Sequence, residues 1–184
     1  MAYLFHLVGP PGSGKRTIGL KLSALTGAAL LDNHLANDPI FLAAGAGDGM
    51  PIPNEVWELC GVAQRAMRSA VLHAPPTLAH IFTNYLSADE GERQSVDSLR
   101  ELAARRNVSF VPVWLNCPLP ELERRMGLPE RMERRKLNNP AILRELLWTS
   151  GMLPAPPDAL HFDTSLLAPA EAARLIASHA GALD

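Results

Sequence analysis

Gly9-Pro10-Pro11-Gly12-Ser13-Gly14-Lys15-Arg16-Thr17 is the stretch on which the reading of this chain turns. Glycines at 9, 12 and 14 let the backbone curl until successive N–H groups point into one concavity, and Lys15 opens a helix whose positive end faces the same point. The flanks fit. Tyr3-Leu4-Phe5-His6-Leu7-Val8 reads as a buried strand, and Ile18, Leu22 and Leu25 recur at i, i+4 and i+7, which gives the following helix one apolar face. A glycine-rich turn between a strand and a helix is the setting that a phosphate-binding loop requires. Residues 9 to 17 are therefore expected to form a socket for a polyphosphate. The competing reading is a Gly/Pro turn that happens to end in lysine.

One position departs from the common G-x-x-x-x-G-K-[ST] spacing. The residue after the lysine, which in most such loops offers a hydroxyl to Mg²⁺, is Arg16, and the hydroxyl arrives one position later at Thr17.

The rest of the chain sets the limits. Its 184 residues suit one domain, 1–184, with a proper core. A hydrophobic fraction of 47% and a charged fraction of 20% are those of a globular protein. A net charge of −2 gives no reason to expect nucleic acid or an acidic membrane as partner. Cys60 and Cys117 are far apart in apolar surroundings, which reads as two reduced thiols rather than a disulfide or metal site. With no basic N-terminal flank and no 18-residue apolar run, the expected location is the cytoplasm. Nothing in the sequence speaks to oligomeric state.

Strand candidates at 3–8, 28–31, 77–82, 108–115 and 159–163 alternate with helical stretches, the mark of an α/β fold with a parallel sheet covered on both faces. Val56, Leu59, Cys60, Ala63, Met67, Ala70 and Val71 trace one helix face that should pack on the sheet. Residues 45–54 and 153–158 are breaker-rich loops, and a last helix is expected over about 169–180. Trp57, Trp114 and Trp148 are too scattered for a base-stacking platform and read as core or lid packing.

Arg124, Arg125, Arg131, Arg134, Arg135 and Lys136 hold six of the chain's 17 basic residues in one short segment, so an anion is expected there. On a helix Arg131, Arg134 and Arg135 would share one face, and like charges so placed repel by about 0.2–0.5 kcal/mol per pair until neutralised. A polyphosphate suits the planar guanidinium fork. A solvated face paired with Glu123, Glu130 and Glu133 is the alternative.

The loop Gly-x-Pro-Gly-x-Gly-Lys-x-Thr resembles that of adenylate kinases, where the position after lysine is glycine, the threonine contacts an inner phosphate and the metal is held largely through water. Leu115-Asn116-Cys117-Pro118, then Glu121-Leu122-Glu123-Arg124-Arg125, the arginine-rich segment, Lys136-Leu137 and Phe162-Asp163-Thr164-Ser165 follow in the order of the shikimate kinase and adenylate kinase group of small P-loop kinases. This resemblance implies a three-layer P-loop fold with five parallel strands in the order 2-3-1-4-5, ATP and Mg²⁺ as cofactors, and a mobile lid at about 126–140. It further implies that Arg125 stacks on adenine, that Arg131 with Arg134 or Arg135 reaches the phosphates, and that Thr164 and Ser165 pack around the base.

Ligands sit at the carboxyl ends of parallel strands. The second strand ends in Asp32-Asn33-His34, where an exposed carboxylate can do chemistry. Asp32 is expected to hold the acceptor hydroxyl, act as general base, or orient water on Mg²⁺, as the resemblance implies; Thr17 is the other metal-side residue. A helix N-cap is the plainer role for Asp32. Asn33, His34 and Asn84 are acceptor-side candidates; Tyr85 either joins them or caps the sheet. Arg65 and Arg68 lie on the helix that borders the acceptor site in the resembling family, and Arg65 is the candidate for an anionic acceptor.

The expected function is transfer of the ATP γ-phosphoryl group to a small-molecule hydroxyl, the acceptor being the one expected partner. A nucleoside-monophosphate kinase is the close alternative and would need a second cationic pocket. A nucleotide-hydrolysing switch lacks the Asn-Lys-x-Asp base-reading motif, and a binding module with a degenerate metal site is the third possibility, raised by Arg16.

Overall fold

The computed structural model describes residues 2–46, 52–128 and 137–182. Strands β1 (Tyr3–Val8), β2 (Ala29–Asp32), β3 (His80–Asn84), β4 (Ser109–Asn116) and β5 (Leu160–Asp163) form one parallel sheet in the order β2-β3-β1-β4-β5, as the resemblance implies. The third strand starts at His80 rather than at residue 77. Among the described residues the helices are α1 (Lys15–Thr26), α2 (His34–Ala43), α3 (Asn54–Leu72), α4 (Glu90–Arg105), α5 (Leu119–Met126), α6 (Pro140–Ser150) and α7 (Pro169–His179). None of them is long and apolar enough to cross a membrane.

Alternation along the central strand builds the layers. Phe5 and Leu7 point to one face and pack with Ile18 and Leu22 of α1 and Ala172, Ala173, Ile176 and Ala177 of α7. Leu4 and Val8 point to the other, against Leu99, Leu102 and Ala103 in one cluster and Val96 in the next, all of α4. Leu25, the third residue of the α1 stripe, is 43% exposed, so the buried stripe ends a turn before the helix does.

The expected packing of α3 on the sheet holds only at its last turn. Val71 and Leu72 enter the β1, β3 and α4 cluster, while the rest of α3 lies against α2, with Trp57 edge-on to Phe41 at 5.2 Å. Leu59 is half exposed and Ala70 is exposed, although both lie on the periodic apolar face. A helix packed on another helix uses a narrower stripe than one laid on a sheet. The tryptophans divide: Trp114 is core and donates its Nε1–H to Leu153 O at 3.1 Å, whereas Trp148 is 89% exposed, against expectation. Both cysteines are free thiols.

His6 lies wholly buried in the central strand, with Nε2 3.0 Å from Asn84 Oδ1. Burial lowers its pKa to about 4; the Asn84 bond opposes this in part, and the Arg68 charge adds to it. His80, beside Arg106 Nη1 at 3.0 Å, is lowered to about 4 by burial and then by that charge. Unfolded imidazoles accept protons near 6.5, where these two refuse them, so stability is full above that value and falls as pH drops from about 6.5 toward about 4. The expected loss is about 2 kcal/mol from wholly buried His6 at about pH 5, with a smaller share from His80. Urea unfolding at about pH 7 and pH 5 measures it, and His6→Gln should make the pH dependence shallower.

Candidate active site

All five strands end on one edge, and register places Asp32 beside Thr83, Val8 beside Asn84 and Trp114, and Asn116 beside Asp163. The loop that leaves Val8 lies at the centre of that edge. Gly9 N donates to Asn84 O at 3.2 Å, and Ser13 N closes the turn onto Pro10 O at 3.1 Å. A Cβ at Gly9 would stand 2.7 Å from Leu115 O, a backbone atom that cannot yield, so β4 admits only glycine here. Gly12 and Gly14 have φ of 90° and 88°, the left-handed conformation that side chains disfavour.

Gly14 caps α1 without a side chain, and the first turn carries Lys15 and Arg16 and no acidic residue. Helix starts ordinarily collect carboxylates and side-chain caps; here the helix end faces the loop with neither, which suits an external anion. Lys15 Nζ donates to Gly9 O at 2.6 Å and Pro10 O at 2.9 Å, folded over the loop it is expected to serve. Pro11 and Thr17 flank this cradle, partly exposed and exposed respectively.

Asp32 is 2% exposed, not the open carboxylate that the strand end suggests. Its Oδ2 accepts from Arg16 Nη1 at 3.0 Å; its Oδ1 accepts from Thr83 Oγ1 at 3.1 Å and His34 N at 3.3 Å. Burial alone would push this carboxyl up, but the Arg16 hydrogen bond, the nearby His34 ring and backbone N–H, and the Thr83 hydroxyl together hold it below the ordinary carboxylate value. An acid so held is a poor proton acceptor. The bond to His34 N is the local helix-start contact of the plainer reading, so Asp32 combines it with an ion pair that spacing did not reveal.

His34 stands next in this chain of contacts. Its Nδ1 lies 2.9 Å from Asp38 Oδ1, one turn along α2, and Nε2 has no partner among the described residues. Asn33 is the N-cap residue of α2 but makes no side-chain cap bond, and its N–H reaches Thr83 Oγ1 at 3.4 Å. Asn37, buried behind them, accepts from Gln64 Nε2 at 3.0 Å and ties α2 to α3. Asn84 touches the loop through its carbonyl and is fixed by His6 through its side chain. Tyr85 takes the sheet-capping role, its hydroxyl donating to Gly151 O at 2.6 Å.

On the far side of the loop, Arg125 draws three elements together. Its Nη1 reaches Gly12 O and Thr164 Oγ1, each at 3.3 Å, its Nη2 donates to Thr164 O at 2.6 Å, and its Nε donates to Glu121 Oε1 at 2.7 Å. Ser165 turns its hydroxyl onto Asp163 Oδ1 at 2.6 Å. A cleft of about 350 Å³ opens beside Pro10, walled by Asn116, Cys117, Leu122, Leu147, Met152 and Asp163 among others. It joins the phosphate loop to the ends of β4 and β5 and is large enough for part of a nucleotide.

One expectation finds no such convergence, and another falls outside the described residues. Arg65 is exposed, folded toward Gly61, and makes no hydrogen bond to the loop or to β2; its neighbour Arg68 is tied to Ser98 Oγ at 3.0 Å. Arg131, Arg134, Arg135 and Lys136 lie outside the described residues, as does most of the lid. Nor do the residues present fit a protein-held Mg²⁺. Arg16 occupies the hydroxyl position, Asp32 is committed to that guanidinium, and among the described residues no three His, Cys, Asp or Glu side chains gather as metal ligands.

No family model matches the chain, and no curated protein does. Solved structures do. A protein from Chloroflexus aurantiacus provisionally described as a kinase is 16% identical over 100% of this chain and 98% of its own, with a TM-score of 0.70. A gluconokinase from Sinorhizobium meliloti is 18% identical over 96% and 93%, at 0.58. The shikimate kinase of Acinetobacter baumannii, solved with shikimate, is 22% identical over 97% and 93%, at 0.51. Together with the strand order and the glycine-rich loop, these likenesses give the chain the fold of the small P-loop kinases of the shikimate kinase group.

Proposed function

We propose that this protein is an ATP-dependent phosphotransferase acting on a hydroxyl of a small molecule. The observation that supports the reading is the run of contacts from the loop through Arg16 and Asp32 to His34 and Asp38, which links the glycine-rich loop to an imidazole on one sheet edge.

In this reading the loop N–H groups and Lys15 bind the ATP phosphates. The nucleoside extends toward Arg125, Thr164 and Ser165, along the cleft beside Pro10. The acceptor stands over Asp32, Asn33, His34 and Asn84. Its hydroxyl oxygen forms a bond to the γ-phosphorus as the bond from that phosphorus to the β,γ-bridging oxygen breaks. The hydroxyl proton passes to His34 Nε2, with Asp38 holding the ring through Nδ1, and ADP leaves. Positioning and charge neutralisation supply most of the catalysis in such transfers, and Arg131 and Arg135 are assigned to the second task from the sequence. Mg²⁺ supplied with ATP would neutralise phosphate charge without drawing on Asp32, which is paired with Arg16, and the whole unit works as one cytoplasmic domain with residues 126–140 as its lid.

A nucleoside-monophosphate acceptor is disfavoured because Arg65 and Arg68 do not converge into a second phosphate socket. Two of the similar structures are named for kinases of hydroxy acids, gluconate and shikimate, so these head the panel of acceptors. Release of ADP is measured with hydroxy acids, polyols, nucleosides and nucleoside monophosphates. A hydroxyl compound should stimulate turnover well above the rate with water. Stimulation by monophosphates alone would move the protein to the alternative class.

A further inference from the structure

Arg16 follows the loop lysine, where a hydroxyl would serve a metal, and the side chain is neither disordered outward nor idle. Its Nη1 grips buried Asp32 at 3.0 Å, and the guanidinium side chain is only 30% exposed. One polar atom of the same side chain, Arg16 Nε, is buried without a hydrogen-bond partner among the described residues. A buried donor left unpaired is costly, and native proteins seldom keep one unless a ligand or water completes it. This donor sits in the first turn of α1, beside a helix start that lacks any capping side chain or acidic residue. An oxygen-rich anion in the cradle is the chemistry that would satisfy it. Meanwhile Asp32 has its charge cancelled by the same guanidinium.

We propose that Arg16, locked in place by Asp32, is the resident cation of the phosphate site, so that this protein binds ATP nearly as well without Mg²⁺ as with it. The inference rests on the phosphotransferase reading to the extent that it needs ATP in the loop. Arginine suits the role because it is permanently charged and offers several N–H donors in a fixed plane: one is spent on Asp32, and others remain for phosphate oxygens. Asp32 thereby acts as a positioning residue, orienting the guanidinium and preventing its collapse onto solvent.

Calorimetric titration with ATP, in excess EDTA and in excess Mg²⁺, tests this without any acceptor. The wild-type protein should bind with affinities within about threefold of one another in the two buffers, since a fixed charged donor replaces the contribution of the metal. Arg16→Thr, which restores the usual hydroxyl, should make binding in EDTA about tenfold or more weaker than in Mg²⁺. Because Arg16→Thr strands a buried carboxylate, the double variant Arg16→Thr/Asp32→Asn removes both charges and should show the same Mg²⁺ dependence if the single variant does not fold. Wild-type binding that already demands Mg²⁺, to the degree seen in the variants, would overturn the role of Arg16 while leaving the phosphotransferase reading in place. Failure of the wild-type protein to bind ATP in either buffer would overturn both.

Discussion

Lys15→Ala is expected to weaken ATP binding about 10²-fold or more, with little change in thermal stability. The lysine now bridges two carbonyls of its own loop, Gly9 O and Pro10 O, and these are solvated readily once it is gone. What is lost is a charged donor aimed at the outer phosphates, and hydrogen bonds to charged groups contribute about 1.5–3 kcal/mol each. Two such bonds account for the expected factor. Calorimetry with ATP gives the affinity, and a melting curve shows that the fold is intact. Unchanged affinity would mean that the loop is a structural turn.

His34→Gln should lower the rate of phosphoryl transfer by about 10²–10⁴, the range for loss of a positioned general base, while ATP affinity stays within about threefold. Asp38→Asn should have a smaller effect of the same kind, about tenfold, because the ring remains but loses the carboxylate that orients it. Asp32→Asn separates the two roles on this edge. It removes the buried charge and the acceptor oxygen that pair with Arg16, so its first consequence is a loss of stability of about 1–3 kcal/mol, less than for a fully buried pair because Arg16 is partly exposed. Steady-state rates with the acceptor identified in the panel, together with urea unfolding, distinguish these outcomes. Full activity in His34→Gln alongside a large rate loss in Asp32→Asn would return the base role to the aspartate.

The fold was legible because its signals are local. Strands β1 and β4 are continuous apolar runs, the loop has fixed glycine spacing, and the strand–helix alternation leaves few topologies. The conformation of the glycine-rich loop was legible for the same reason, since one nine-residue stretch carries all of it. Arg125 and Thr164 were reached only through resemblance, yet they meet each other and Gly12 across 39 and 113 positions of chain. Position in the sequence cannot reveal such a meeting.

The acceptor side read less well for a related reason. Asp32 stands at a strand end, where carboxylates are usually wet, but the departure at Arg16 and the hydroxyl of Thr83, on the neighbouring strand, cover it. Sixteen and fifty-one residues separate these partners from it. The His34–Asp38 pair, by contrast, lies at i, i+4 on one helix and was available from spacing alone. The stripe on α3 misled because periodicity says which face is apolar and not whether a sheet or a helix will cover it.

The fate of the γ-phosphoryl group of ATP decides between transfer and hydrolysis. The protein is incubated with ATP labelled in that group and the hydroxyl acceptor that stimulates it most, and the products are separated. The label should leave ATP as a phosphate ester of the acceptor, at a rate that Lys15→Ala and His34→Gln each depress; label recovered only as inorganic phosphate, whatever hydroxyl compound is supplied, would contradict the account and leave a nucleotide hydrolase built on the same loop.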